Sequence, residues 1–386
     1  MSLSISRIDY SDERTVRLLL SRLIEPEDQL FAELRETAAP AELLRAIVDD
    51  RASPPPWSAD LADRLGWRRA GLRLKLACAD PAADFAAGTA VGARFLVPGD
   101  AGWPASLDDL GGRAPFGVWI IGHFDPRAPS VAMVGARACT GYGSQAAGQL
   151  SADLARARAV IVSGAALGID GASHRGALAV GGATVAVLAC GIDRSYPASH
   201  RTLIQAIGQR GAVLAELPPG TTPTRFRFLA RNRLIAALGA GTVVVEAAVR
   251  SGSLVTARLA AELGRAVFAV PGPVTSRQST GTNRLLCDGA IPAVDGTQVL
   301  AELGIEAPAP PQPRPERSDT PSAAPQLDPR AVLVREALPT ARSGRAAEVL
   351  TLATATGLAP PEVLAMLGRL AAAGQAVKTG GGWALR

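Results

Sequence analysis

Between residues 95 and 304, six short and nearly all apolar runs recur with alanine-rich stretches between them, and this alternation constrains the fold more than any other feature. The runs are VAMVG (131–135), AVIVSG (159–164), ATVAVLA (183–189), AVLAE (212–216), TVVVEA (242–247) and AVFAV (266–270). A strand covered by helices on both faces has no solvent side, so it reads as a continuous apolar run rather than an alternating one. Segments such as SQAAGQLSADLARAR and SLVTARLAAELG supply the covering helices. The pattern predicts an extended Rossmann-like, doubly wound, mostly parallel α/β sheet. In such sheets ligands bind beyond the carboxyl ends of the strands, so the loops that follow strands are where function is sought.

The flanks differ. Residues 1–80 read as short amphipathic helices (ERTVRLLLSRLI, PAELLRAIVDD, WSADLADRL) broken at Pro40 and at Pro54-Pro55-Pro56, which predicts a small all-α domain. Residues 307–329 are rich in Pro, Ala, Ser and charge and read as a flexible linker. Residues 330–386 read as helix (330–337), helix (346–356), a turn at Gly357, helix (360–373) and two short strands around Gly380-Gly381-Gly382, the order of a C-terminal winged helix. Val363, Leu364, Leu367 and Leu370 recur at helical spacing and are expected to face one way.

Composition removes several classes of function. No apolar stretch reaches the ~18 residues of a membrane-spanning helix, and the N-terminus has neither the basic nor the apolar region of a secretory signal; the expected location is the cytoplasm, with no membrane partner. Four cysteines (Cys78, Cys139, Cys190, Cys287) and three histidines (His123, His174, His200) are dispersed. That spacing offers neither a metal site nor a disulfide framework, and the cysteines are expected to be buried small hydrophobes. The net charge of +5 comes from arginine, since Lys75 and Lys378 are the only lysines. A Walker A loop is thereby excluded, because no lysine stands in the glycine-rich middle to reach a phosphate. Arginine, in contrast, suits forked phosphate contacts and stacking on bases.

Four loops carry chemistry. In GARACTGYGSQA, Gly141, Gly143 and Ala146 formally match a dinucleotide fingerprint, but they sit beyond the strand end, and no acid closes the second strand to hold a ribose. No nucleotide cofactor is predicted. Arg137, just after Gly135 at the strand's carboxyl end, suits an anion site. In SGAALGIDGASHRGAL, Ser163, Gly164 and Gly168 permit close backbone approach, and their N–H groups suit a phosphate. Ser163, His174 and Asp170 do not make a nucleophilic set without a GxSxG elbow; Asp170 is expected to cap the next helix and His174 to be structural. In TPTRFRFLARNRLIAALG (222–239), Arg225, Arg227, Arg231 and Arg233 crowd around Phe226 and Phe228. Basic residues interleaved with aromatics suit single strands, with arginines on phosphates and a ring on a base. A solvated basic loop with one core phenylalanine is the plainer alternative. In EAAVRSGSLVTA, Ser251, Gly252 and Ser253 precede a helix whose free N–H groups face the same crevice, and the lone acid Glu246 is expected to orient an arginine rather than to act as a base.

Together VGAR-(x)4-YG, SGAALGID, HRGAL, TVAVLACGIDRSYP, RNRLIAALG, VVVEAAVRSGSLVTA, GRAVFAVPG and GTNRLLCDGA stand in the order seen in the DNA-processing protein A (Smf) family, which residues 100–300 resemble. WPASLDDL is similar to that family's YPxxL segment, the tail to its winged helix, and the N-terminal helices to its SAM-like or helix-hairpin-helix region. The resemblance implies a protein, not an enzyme, that binds and protects single-stranded DNA and assists loading of RecA recombinase during natural transformation, as a homodimer. Carried over by motif, contacts fall on Gly135, Arg137, Ser163, Gly164, Arg225, Phe228, Arg231, Asn232, Arg233, Ser251, Gly252 and Ser253. Ala136 stands where the family has Ser, Leu167 where it has Arg, and Leu229 where it has Pro. Two other readings compete. One is a nucleotide-processing enzyme similar to the lysine-decarboxylase-like phosphoribohydrolases, with Glu246 as the acid, although the PGGxGTxxE signature is missing. The other is a winged-helix regulator, although Arg369, Lys378 and Arg386 are few cations for groove binding.

Overall fold

A computed structural model of the chain describes residues 8–49, 57–306, 328–339, 346–380 and 382–385. Two compact units divide it, Met1–Pro310 and Pro311–Arg386. Residues 307–327 of the expected linker lie outside the described residues.

The first unit opens with five helices: α1 (Glu13–Leu23), α2 (Gln29–Arg35), α3 (Pro40–Val48), α4 (Ala59–Ala77) and α5 (Pro81–Ala90). Asp12, Ser58 and Asp80 cap α1, α4 and α5 through side-chain oxygens, and Pro40 and Pro81 stand at first-turn positions, where a missing N–H costs nothing. Leu19, Leu20 and Leu23 of α1 meet Phe31, Leu43, Ile47, Leu65 and Leu72 in a core of their own.

The chain then runs through β1 (Arg94–Leu96), β2 (Val118–Gly122), β3 (Ser130–Val134), α6 (Gly141–Arg156), β4 (Val160–Ser163), α7 (Ile169–Ala179), β5 (Thr184–Leu188), α8 (Arg201–Arg210), β6 (Ala212–Ala215), α9 (Arg225–Leu238), β7 (Gly241–Val244), α10 (Gly252–Glu262), β8 (Ala266–Ala269), α11 (Thr280–Cys287), β9 (Ile291–Pro292) and α12 (Gly296–Glu302). Nine strands form one sheet in the order β1-β2-β6-β5-β4-β3-β7-β8-β9. All pairs from β6 to β9 are parallel, while β1–β2 and β2–β6 are antiparallel. The six apolar runs are β3 to β8; the antiparallel edge strands and β9 are additions that the pattern of runs did not contain.

Each central strand feeds both faces of the sheet. Ala132, Val134, Val160, Val162, Val185 and Val187 pack under Leu234 and Leu238 of α9, whereas Val131, Met133, Ile161 and Val243 pack under Leu150 and Leu154 of α6. Burial on both faces is the physical reason the runs read as unbroken apolar stretches. Successive strands β3 to β6 are laid down in one direction and β7 to β9 in the other. The crevice where that direction reverses opens beyond the carboxyl ends of β3 and β7.

The second unit holds α13 (Pro329–Ala337), α14 (Val349–Thr356), α15 (Pro360–Ala372) and an antiparallel hairpin of β10 (Ala376–Thr379) and β11 (Gly382–Leu385). Gly357 closes α14 at φ 71°, a left-handed conformation that glycine adopts without a Cβ penalty. Val363, Met366, Leu367 and Leu370 are buried, but Leu364 is 55% exposed, a correction to the expected apolar face: Met366, three residues after Val363, takes the inward place. The cysteines correct another expectation. Cys190 is buried and Cys139 half-buried, whereas Cys78 and Cys287 are exposed. Among the described residues no three metal-ligating side chains gather, and no single helix is long and apolar enough to cross a membrane.

Candidate functional site

A cleft of about 820 Å3 occupies the reversal point. Val134 at the end of β3 and Gly135 and Arg137 beyond it enter the cleft, with Arg250, Ser251, Gly252 and Ser253 from beyond β7, and Arg225, Phe228, Arg231 and Asn232 of α9 with its cap Thr224. Two helices begin at its wall. Thr224 caps α9 by accepting from the Arg227 N–H at 3.3 Å, and Ser251 caps α10 by accepting from the Ser253 N–H at 3.3 Å. Unpaired first-turn N–H groups and the helix dipoles make both termini favourable to an anion. The Asn232 amide donates to Gly252 O at 3.3 Å and ties the second turn of α9 to the start of α10.

Three guanidinium groups supply the free charge. Arg137, Arg225 and Arg250 are exposed, line the cleft, and form no ion pair among the described residues. The Arg137 guanidinium lies over the Phe228 ring, 4.5 Å from its centroid, and Tyr196 tilts against the same ring with centroids 5.4 Å apart. Arg231 differs in kind. It is 6% exposed, and its Nη1 donates to Gly164 O at 3.0 Å and to Val187 O, so it fastens the ends of β4 and β5 beneath the cleft. Burial drives its guanidinium down to about 10, with the buried Asp170 carboxyl opposing that drop. Burial likewise pushes Asp170 above the usual carboxylate range, against the pull of Arg231.

Nine of the fourteen residues expected at the site therefore line one cleft, and the other five lie apart from its wall. Ser163 is fully buried and its hydroxyl donates to Met133 O at 2.6 Å, so it ties β4 to β3 instead of meeting a ligand. The Gly164 N–H is taken by Asp170 Oδ2 at 3.1 Å. A Cβ at Gly164 would stand 2.4 Å from Arg231, so the glycine makes room for the guanidinium and not for a phosphate. Gly168 caps α7 at φ 79°, where a Cβ would stand 2.3 Å from Ala136 O. Gly168→Ala is expected to destabilise the first unit by about 2 kcal/mol or more through strain and clash, read as a lower denaturant midpoint at unchanged slope. Arg227 makes a forked pair with Glu25, at 2.6 and 3.0 Å. Arg233 is 1% exposed, forks onto Glu216 at 2.6 and 2.9 Å, and donates to Arg113 O. Both point towards the N-terminal helices, because residues two apart on a helix face away from each other.

Three further readings are corrected or sharpened. Asp170 does not cap α7; it reaches back to the N–H groups of Gly164 and Ala166 and holds the loop closed. Among the described residues Glu246 orients no arginine; its carboxylate accepts from Thr140 N at 2.8 Å and Thr140 Oγ1 at 2.6 Å, which anchors the start of α6, with Gly143 packed against it. His174 is structural, with Nδ1 2.7 Å from Thr184 Oγ1, and burial holds its imidazole down to about 3. Reasoning from the sequence missed Arg250 and Tyr196. A cation directly before a Ser-Gly-Ser turn was the available signal for Arg250; the distance along the chain from Tyr196 to Phe228 left none for the tyrosine.

Comparison with known proteins agrees with this geometry. Residues 94–304 match the model of the family described as DNA recombination-mediator protein A. A Mycobacterium tuberculosis protein that carries the name DNA processing protein DprA is 40% identical over 379 residues, spanning 94% of this chain and 92% of its own length. DNA processing protein A from Streptococcus pneumoniae superposes with a TM-score of 0.60 at 32% identity, covering 78% of this chain and 99% of that one. The Helicobacter pylori DNA processing protein A, whose structure was described for its single-stranded DNA binding mode, gives a TM-score of 0.50 at 32% identity over 55% of this chain and 95% of its own. On these matches, which extend from the helical N-terminus through the parallel sheet, the chain belongs to the DNA recombination-mediator protein A family.

Proposed function

We propose that this chain binds single-stranded DNA in the cleft between the ends of β3 and β7, and that it protects the strand and assists loading of RecA recombinase in DNA uptake and recombination. In this reading it works in the cytoplasm, as a homodimer, by binding and not by catalysis. One observation carries it: Arg137, Arg225 and Arg250, with no ion-pair partner among the described residues, converge on a cleft that also presents Phe228 and two helix N-termini. Phosphate neutralisation, backbone N–H donation and ring stacking are the three elements that hold a single strand without reading its sequence. The Helicobacter pylori relative, by the description of its structure, binds such a strand.

The nucleotide-processing alternative needs a free acid in the same cleft. Glu246 is 1% exposed and its carboxylate is engaged by Thr140, which speaks against that role. The test is fluorescence anisotropy of labelled oligothymidylate against a duplex of equal length over a salt series. Tighter binding to the single strand, with log affinity falling by about 0.7 per neutralised phosphate per decade of salt, is expected. Salt-independent binding, or release of free base from nucleotides by the wild type and its loss in Glu246→Gln, would count for the alternative.

A further inference from the structure

Arg137 has two things to bind and one guanidinium with which to do it. Its guanidinium covers Phe228, 4.5 Å from the ring centroid. That ring is one of two aromatic side chains lining the cleft, and the other, Tyr196, tilts against it. A cation over an aromatic face and a base stacked on it use the same surface, so the two cannot occupy one face together. Among the described residues the Arg137 guanidinium has no hydrogen bond or ion pair; Arg231 lies close enough to repel it and the buried Asp170 carboxyl close enough to attract it.

We propose that Arg137 is an exchange residue. A nucleobase that stacks on Phe228 displaces the guanidinium from the ring, and only then does Arg137 take a backbone phosphate. The inference rests on single-strand binding in this cleft and deepens it: stacking of one base and neutralisation of one phosphate become a single coupled event. The ligand that completes the exchange must carry both an aromatic base and a phosphodiester. A polyanion without bases leaves Arg137 on its ring. Tyr196, by fixing the tilt of Phe228, is a positioning residue for the exchange.

The experiment uses the full chain and two labelled probes, oligothymidylate and an abasic oligodeoxynucleotide of the same length, each titrated over a salt series. For the wild type, log affinity should fall more steeply with log salt on oligothymidylate than on the abasic strand, by about 0.7, the contribution of one phosphate on a single strand. Affinity for the abasic strand should be about tenfold or more lower, from the lost stacking. In Arg137→Ala the two slopes should coincide at the lower value. In Phe228→Leu they should coincide at the higher value, because the guanidinium no longer has a ring on which to rest. The wild-type comparison needs no variant, so the outcome does not hang on whether a variant folds. Equal slopes on the two probes in the wild type overturn the exchange while leaving single-strand binding intact. Absence of binding to either probe removes the proposed function itself, and the exchange with it.

Discussion

Replacing Arg137, Arg225 and Arg250 together by Ala is expected to cut affinity for oligothymidylate about fifty-fold at 0.15 M salt and to leave the fold unchanged. The magnitude follows from counterion release: three charges at about 0.7 each lower the salt slope by about 2, which between 1 M and 0.15 M corresponds to about fifty-fold. Stability should stay within about 0.5 kcal/mol of the wild type, because all three side chains are exposed and none has an ion-pair partner among the described residues. Anisotropy over a salt series reads the first quantity and thermal unfolding the second. A triple variant that binds with the wild-type slope would place the strand elsewhere on the molecule.

Arg233→Ala is expected to do the opposite. Arg233 and Glu216 are both nearly inaccessible, and their forked pair is joined by Glu27, with Arg233 Nε 3.1 Å from its carboxylate. Removing the guanidinium leaves the Glu216 carboxylate buried without its partner, at a cost of about 3–5 kcal/mol. For a unit of this size that lowers the unfolding midpoint by roughly 10 °C. Arg233→Met with Glu216→Leu should recover much of the loss, since a buried pair exchanged for apolar groups of similar volume is often neutral. Protein that remains folded should keep its salt slope on oligothymidylate. A slope reduced by about one phosphate in folded Arg233→Ala would return Arg233 to the binding surface.

The contrast between these variants separates what was legible in the chain from what was not. Along RFRFLARNR the arginines look alike, and the interleaved pattern assigns them one role. Position around α9 assigns them several. Arg225 faces the cleft, Arg227 and Arg233 reach carboxylates in the loop between α1 and α2 or just beyond β6, and Arg231 turns down onto carbonyls of β5 and just beyond β4. The same holds for the SGAALGID loop. Ser163 and Gly164 read as a phosphate cradle, but the cradle is filled from within by Asp170 and Arg231.

The sequence by itself determined the doubly wound sheet, its six central strands, the helical flanks and the three loops that meet at the cleft. Each depends on local information: strands buried on both faces must be apolar throughout, and loops that turn tightly at their ends need small residues. Tertiary structure alone decided which cations stay free. A charge is silenced by a partner of opposite sign or by carbonyl groups brought within about 3 Å, and for Arg227 and Arg233 those partners come from Glu25, Glu27 and Glu216, distant along the chain. Periodicity within a helix carries no record of what a separate segment places against it. Tyr196 joined the site for the same reason, by folding beside Phe228, which the chain keeps far away, whereas Arg250 already stands next to the Ser251-Gly252-Ser253 turn in the chain.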